Sequence, residues 1–112
     1  MIKMNKYKNK KMVVDGIIFD SVKEKNRYLT LKLYEKAGAI KDLELQVKFE
    51  LQPAFSVNGK RIRKIEYIAD FVYYDNNAKK QVVEDVKGYR TKEFLLKRKL
   101  FAYKYGFEIS EV

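Results

Sequence analysis

From Leu43 to Leu51 the chain reads Leu-Glu-Leu-Gln-Val-Lys-Phe-Glu-Leu, apolar and polar in strict alternation. That pattern predicts a strand with one buried and one solvated face, and Pro53 stops it. Two further apolar, β-branched and aromatic runs, Tyr67–Phe71 and Val83–Gly88, flank Asp75–Lys80 and predict a β-hairpin. Asp15-Gly16 between the short apolar runs of Met12–Phe19 predicts another hairpin. Asn58-Gly59 predicts a third, running from Phe55–Val57 into a long strand over Lys60–Tyr74, because both dipeptides accept the positive φ angles of a type I′ turn.

Helical spacing appears twice. After Asp20, Ser21 and Glu24 form a capping box. Val22, Leu29 and Leu33, with Ala37 near the end, mark the apolar face, and Gly38 is placed to close the helix. Beyond Gly88, Thr91 caps a second helix over Lys92–Tyr105, with Gly106 as its stop signal. Phe94, Phe101 and Tyr105 recur near helical spacing, as do Leu96, Leu100 and Tyr103. Phe107–Ile109 adds a last short strand. The expected fold class is α/β (α+β): one central mixed β-sheet flanked by helices.

The 112 residues, 46% hydrophobic, suit a single domain with one modest core. No apolar run is long enough to span a bilayer, and no apolar segment follows the N-terminal lysines as in a signal peptide. A cytoplasmic address is therefore expected. Cysteine and histidine are both absent, which excludes disulfides, thiolate metal sites, histidine triads and His-ligated zinc. Catalysis would have to use carboxylates, lysines, tyrosines or serines, with an oxygen-seeking ion such as Mg²⁺ or Mn²⁺.

The net charge of +10 points to a polyanionic partner, nucleic acid first and an anionic membrane surface second. Residues 1–11 hold five lysines and no acid, and read as a flexible basic arm. Candidate phosphate contacts are Lys6, Lys8, Lys10 and Lys11 in that arm and Arg27 in the first helix. Lys60, Arg61, Arg63 and Lys64 form a cluster after Asn58-Gly59, and Arg90, Lys92, Lys97 and Arg98 lie around the second helix.

The candidate chemistry sits in the central hairpin. Asp70 interrupts an apolar strand, where aspartate is disfavoured. Asp85 and Lys87, two apart, share a face of the neighbouring strand. With an even-numbered loop Asp70 lies on the face of Asp85 and Lys87; with an odd-numbered loop it faces Glu84 instead. Like charges opposed across strands destabilise a sheet unless something offsets them, and a divalent cation would. Glu24 has two readings, as the helix cap or as a third acid aimed at the sheet. Gln46 and Gln52 read as surface polarity.

An acid in the first helix, an isolated strand aspartate and then acid-x-Lys on the next strand resemble the PD-(D/E)xK nuclease superfamily, with Ala69 in place of the proline. Lys6-Tyr7, Asp15-Gly16, Phe19-Asp20-Ser21 with Glu24, Leu43-x-Leu45-Gln46, Leu51-Gln52-Pro53, Tyr67–Phe71, Val83–Gly88 and the Lys/Phe-rich helix after Thr91 extend the likeness over Lys6–Gly106. Together they resemble a small phage-encoded family of unknown function, nuclease-like and related to Holliday-junction resolvases and transposon end-cutting nucleases.

The resemblance implies a restriction-endonuclease-like core, frequent homodimers and a bacterial-cell, phage-encoded setting. It also implies an active site of Glu24, Asp70, Asp85 and Lys87, with Mg²⁺ or Mn²⁺ held by Asp70, Asp85, the Val86 carbonyl and Glu24. The expected activity is endodeoxyribonuclease action on branched or recombination DNA. The alternatives are a non-catalytic DNA-binding module on the same fold, or an RNA- or partner-binding phage factor that stacks bases on some of its nine tyrosines and seven phenylalanines.

Overall fold

The structure, a computed structural model, describes residues 12–112. The basic arm, with Lys6, Lys8, Lys10 and Lys11, lies outside the described residues. The elements run β1 (Met12–Val14), β2 (Ile17–Phe19), α1 (Val22–Lys36), β3 (Ile40–Gln52), β4 (Phe55–Val57), β5 (Lys60–Ile62), β6 (Ile65–Asp75), β7 (Lys80–Asp85), α2 (Lys92–Tyr105) and β8 (Ser110–Glu111). Four strands form a mixed sheet in the order β3-β6-β7-β8, antiparallel except where β8 runs parallel to β7. With two helices packed on it, the architecture is α+β.

Local chemistry accounts for the boundaries. Asp15 and Gly16 take φ of 54° and 76°, and Asn58 and Gly59 take 50° and 73°. These paired positive angles match the twist of the flanking strands in a two-residue hairpin. The β1–β2 and β4–β5 ribbons follow from them. Ser21 Oγ accepts from Glu24 N at 3.1 Å and Thr91 Oγ1 from Phe94 N at 3.0 Å, each satisfying a first-turn donor. Gly38 and Gly106, at φ 82° and 81°, close the two helices in the left-handed region.

Several expectations need correction. The run Lys60–Tyr74 is not one strand. It breaks at Arg63-Lys64, so β5 pairs only with β4 while β6 enters the main sheet. β7 ends at Asp85 rather than Gly88, and the last strand is Ser110–Glu111 rather than Phe107–Ile109. Ile109 is buried in the core instead.

The apolar face of α1 is also rotated. Val22, Leu29 and Leu33 are exposed, and Tyr28 and Leu31 are the buried pair. Tyr28 packs its ring on Phe19 and donates its hydroxyl to Asp15 Oδ2 at 2.8 Å, so a polar-tipped residue takes the core position that leucines were expected to hold. On α2, Phe94 and Phe101 are buried as expected, while Leu96, Tyr103 and Tyr105 are exposed.

The core has two parts. Phe19, Tyr28, Leu31, Ile40, Phe71 and Tyr73 gather under α1. Tyr67, Ala69, Val72, Val83, Phe94, Phe101 and Ile109 gather under α2. Val72 belongs to the α2 side and its neighbours Phe71 and Tyr73 to the α1 side, so the helices cover opposite faces at that level.

Lower down the assignment changes. Tyr67 and Ala69, of the same parity as Phe71, pack under α2; on β3, Leu43 and Leu45 pack under α1 but Val47, Phe49 and Leu51 under α2. Both strands change the face they bury at one level, Gln46 and Asp70. Gln46 takes φ 54° there, a left-handed residue that rotates the chain after it relative to the chain before it. Side chains at this level fall between the two helices.

Candidate functional site

Asp70 stands on β6, an inner strand bounded by β3 and β7. The turn between β6 and β7 has four residues, Asn76 to Lys79. Its entry is fixed by Asp75 Oδ1, which accepts from Asn77 N and Ala78 N at 2.9 and 3.0 Å. The even loop sets the register Phe71↔Glu84, which leaves Asp70 and Asp85 just past the end of the β6–β7 ladder, on the same side of that register. The alternative in which Asp70 faces Glu84 is thereby excluded.

Asp70 Oδ2 accepts from Val86 N at 2.7 Å, and Asp70 Oδ1 lies 3.4 Å from Gln46 Nε2. The same Gln46 nitrogen reaches Glu24 Oε2 at 3.5 Å. Only the Ser21 half of the expected capping box is seen, with Glu24 N donating to Ser21 Oγ; the Glu24 carboxylate is on the side of the sheet, by Gln46. Lys87 Nζ lies 2.9 Å from Asp85 Oδ2 and 4.3 Å from the centre of the Phe94 ring. A backbone tie completes the frame, with Lys23 Nζ donating to the Lys87 carbonyl at 2.7 Å. Asp70, Asp85 and Lys87 are thus brought together at β6 and the end of β7, and Glu24 of α1 approaches Asp70 only through Gln46.

Burial and like charge raise the acids. Desolvation, foremost, and the nearby Asp85 charge lift the Asp70 carboxyl from its ordinary value, opposed by the Val86 N–H bond. Glu24 is lifted by burial, then by Asp70, Asp20 and Asp85. Asp85 is 4% exposed, and its Oδ2, though paired in charge with Lys87, lacks a properly directed hydrogen-bond donor among the described residues. The buried Tyr67 hydroxyl also lacks a well-directed bond there, but it lies beside the Asp85 carboxylate, and burial, then the charge and hydrogen bond of Asp85, raise it from its ordinary value. Asp20, Glu24, Gln46 and Asp70 line one side of a cleft of about 450 Å³, closed on the other by Ile17, Ile18, Phe19 and Leu45.

The donors are hard oxygens, which suits Mg²⁺ or Mn²⁺ better than softer ions. Asp70 and Asp85 are near enough for the charge of one to lift the other. Among the described residues no three acidic side chains are gathered as a metal cluster, and Gln46 Nε2 stands between Glu24 and Asp70. Gln46 was read from sequence as surface polarity, and its bridging place is a correction. The signal available was its neutrality on a strand face otherwise carrying Glu44, Lys48 and Glu50.

The expected phosphate contacts divide. Arg27 is committed elsewhere: Nε and NH2 donate to Glu84 at 2.8 and 2.5 Å, and Tyr73 OH completes the fully buried carboxylate at 2.5 Å. Arg90 and Arg98 both pair with Glu111 at 2.7 Å, Lys97 with Glu93 at 3.0 Å and Lys64 with Glu66 at 3.1 Å. Lys92 is exposed at the start of α2, and Lys60, Arg61 and Arg63 are exposed with no ion pair to any described residue.

No helix among the described residues is long and apolar enough to cross a membrane. No curated protein and no solved structure matches this chain. A family model does match, over residues 4–110, and the chain belongs to that family, described as a protein of unknown function (DUF1064).

Proposed function

We propose that the protein is a Mg²⁺-dependent endodeoxyribonuclease of the PD-(D/E)xK type on a restriction-endonuclease-like core, acting on branched or recombination DNA of a phage. One observation carries the reading: two acids, Asp70 and Asp85, lie where β6 and β7 part, near enough that the Asp85 charge lifts the Asp70 carboxyl, with Lys87 Nζ 2.9 Å from Asp85. A pure binder of phosphate gains nothing from neighbouring acids. The branch preference rests on the resemblance of the motifs alone.

Asp70, Asp85 and the Val86 carbonyl would hold the ion, with Glu24 joining once released from Gln46. Bound there, the ion supplies Lewis-acid stabilisation of a phosphate and a lower pKa for a water. Lys87, held by Asp85 and the Phe94 ring, places a cation where negative charge develops on the phosphate. Glu24, with its raised proton affinity, is suited to accept a proton from the attacking water. Lys60, Arg61, Arg63 and Lys92, exposed on the ribbon and at the start of α2, bind the DNA backbone and set affinity rather than sequence preference.

One observation favours the non-catalytic DNA-binding module: the third acid is not yet gathered with the other two. Cleavage of end-labelled four-way junction, duplex and single-stranded DNA decides, with Mg²⁺ or EDTA, for wild type and Asp85→Asn. Mg²⁺-dependent cutting lost in Asp85→Asn while binding in Ca²⁺ persists supports the nuclease. Binding without cutting in Mg²⁺ or Mn²⁺ leaves the module.

A further inference from the structure

We infer that the β4–β5 ribbon is an arm that enters a groove of duplex DNA; this rests on DNA being the partner, though not on its being cut. The ribbon forms its own two-stranded sheet and packs closely on no other described element. From Gln52 to Ile65 the sequence holds four cations and no acid, so the arm is a local positive extreme even for this basic chain. A two-stranded β-ribbon has the width that the major groove admits.

Register gives the ribbon two unlike faces. Phe55↔Ile62 and Val57↔Lys60 share one, and Ser56↔Arg61 lies on the other. Phe55 and Val57 are 44% and 46% exposed, so a ribbon that could have been wholly polar presents an aromatic and an aliphatic side chain beside its cations. Lys64 is paired with Glu66, but Lys60, Arg61 and Arg63 have no acid among the described residues. Polyanion binding accounts for the cations. Contact with sugars and base edges inside a groove accounts for the apolar pair, which phosphate binding alone leaves unexplained.

The test is duplex binding by fluorescence anisotropy in Ca²⁺ across a salt series, a readout independent of cleavage. Lys60→Ala/Arg61→Ala/Arg63→Ala should flatten the slope of log K against log salt by about 0.9 for each lost phosphate contact. The control Lys36→Ala/Lys80→Ala/Lys99→Ala, of equal charge change, should leave it nearly unaltered. Phe55→Ser/Val57→Ser should weaken duplex binding several-fold at fixed salt with the slope kept.

Equal effects of the two triple variants, an unchanged affinity in Phe55→Ser/Val57→Ser, or absence of duplex binding by wild type would each overturn the inference. Loss of wild-type cutting alone would count against the nuclease and leave the arm standing. Cutting that survives with an inert ribbon would do the reverse.

Discussion

Asp70 illustrates how one residue couples stability to chemistry. Its carboxyl is raised in the fold by burial and by Asp85, so the native state holds its proton to higher pH than the unfolded chain does. Stability is then fully present below the ordinary carboxylate pKa and declines as pH rises through the raised value. Asp70→Asn keeps an acceptor for Val86 N and removes the buried charge. It should stabilise the metal-free protein by on the order of 1 kcal/mol at pH 7, with the gain vanishing near pH 3. Urea unfolding at the two pH values checks it, and a gain that persists at pH 3 would dismiss the electrostatic cause.

Glu84 makes the opposite case. Fully buried and bonded by Arg27 and Tyr73, it loses its partner in Arg27→Met, which should cost about 3–5 kcal/mol by stranding a buried carboxylate. Equilibrium unfolding with Glu84→Gln/Arg27→Met as companion, expected to recover much of the loss, distinguishes a stranded charge from lost packing. Asp70 and Asp85 stand out in sequence because acids within apolar strands are conspicuous. Arg27's commitment does not, because Glu84 lies far along the chain and only the packing of α1 on β7 makes them neighbours.

At the scale of elements, the helix ends and hairpin turns were legible almost to the residue, since Ser21, Thr91, Gly38, Gly106, Asp15-Gly16 and Asn58-Gly59 act through local backbone geometry. Which face of α1 is buried was not. The periodic leucines sit outside, and Tyr28 and Leu31 sit inside. Leu31→Ala should therefore cost about 2–5 kcal/mol, while Leu33→Ala should change stability by no more than about 0.5 kcal/mol. Thermal melts of the pair give the ranking, and a larger cost at Leu33 would refute the orientation of the helix. The expected single strand over Lys60–Tyr74 divides where two polar residues, Arg63 and Lys64, stand together and shift the apolar phase from Ile62 to Ile65, and there the chain leaves one sheet for another.

For the whole molecule, the neighbouring carboxylates act as a brake on folding that a cation would release. Mg²⁺ or Mn²⁺ in millimolar amounts should raise the melting temperature of the wild type, since a ligand bound only by the native state stabilises it by mass action. Asp85→Asn should show little of that rise. Differential scanning fluorimetry with Mg²⁺, Mn²⁺ and a matched ionic strength of NaCl separates specific binding from screening, and an equal rise in both proteins would remove the site.

Sequence by itself determined what depends on neighbours along the chain: the caps, the turns, the alternation of β3, the absence of His and Cys chemistry and the surplus of positive charge. It also determined that Asp85 and Lys87 share a side, since their spacing is a property of any extended strand. Tertiary structure decided the rest. It set the β6–β7 register that brings Asp70 near Asp85 and placed Gln46 between Glu24 and Asp70. It also tied Arg27, Lys64, Arg90, Lys97 and Arg98 to acids and left the β4–β5 ribbon free. These depend on contacts between residues distant in sequence, whose energies come from burial and from opposed charge, and no local pattern encodes which distant partner a side chain will meet.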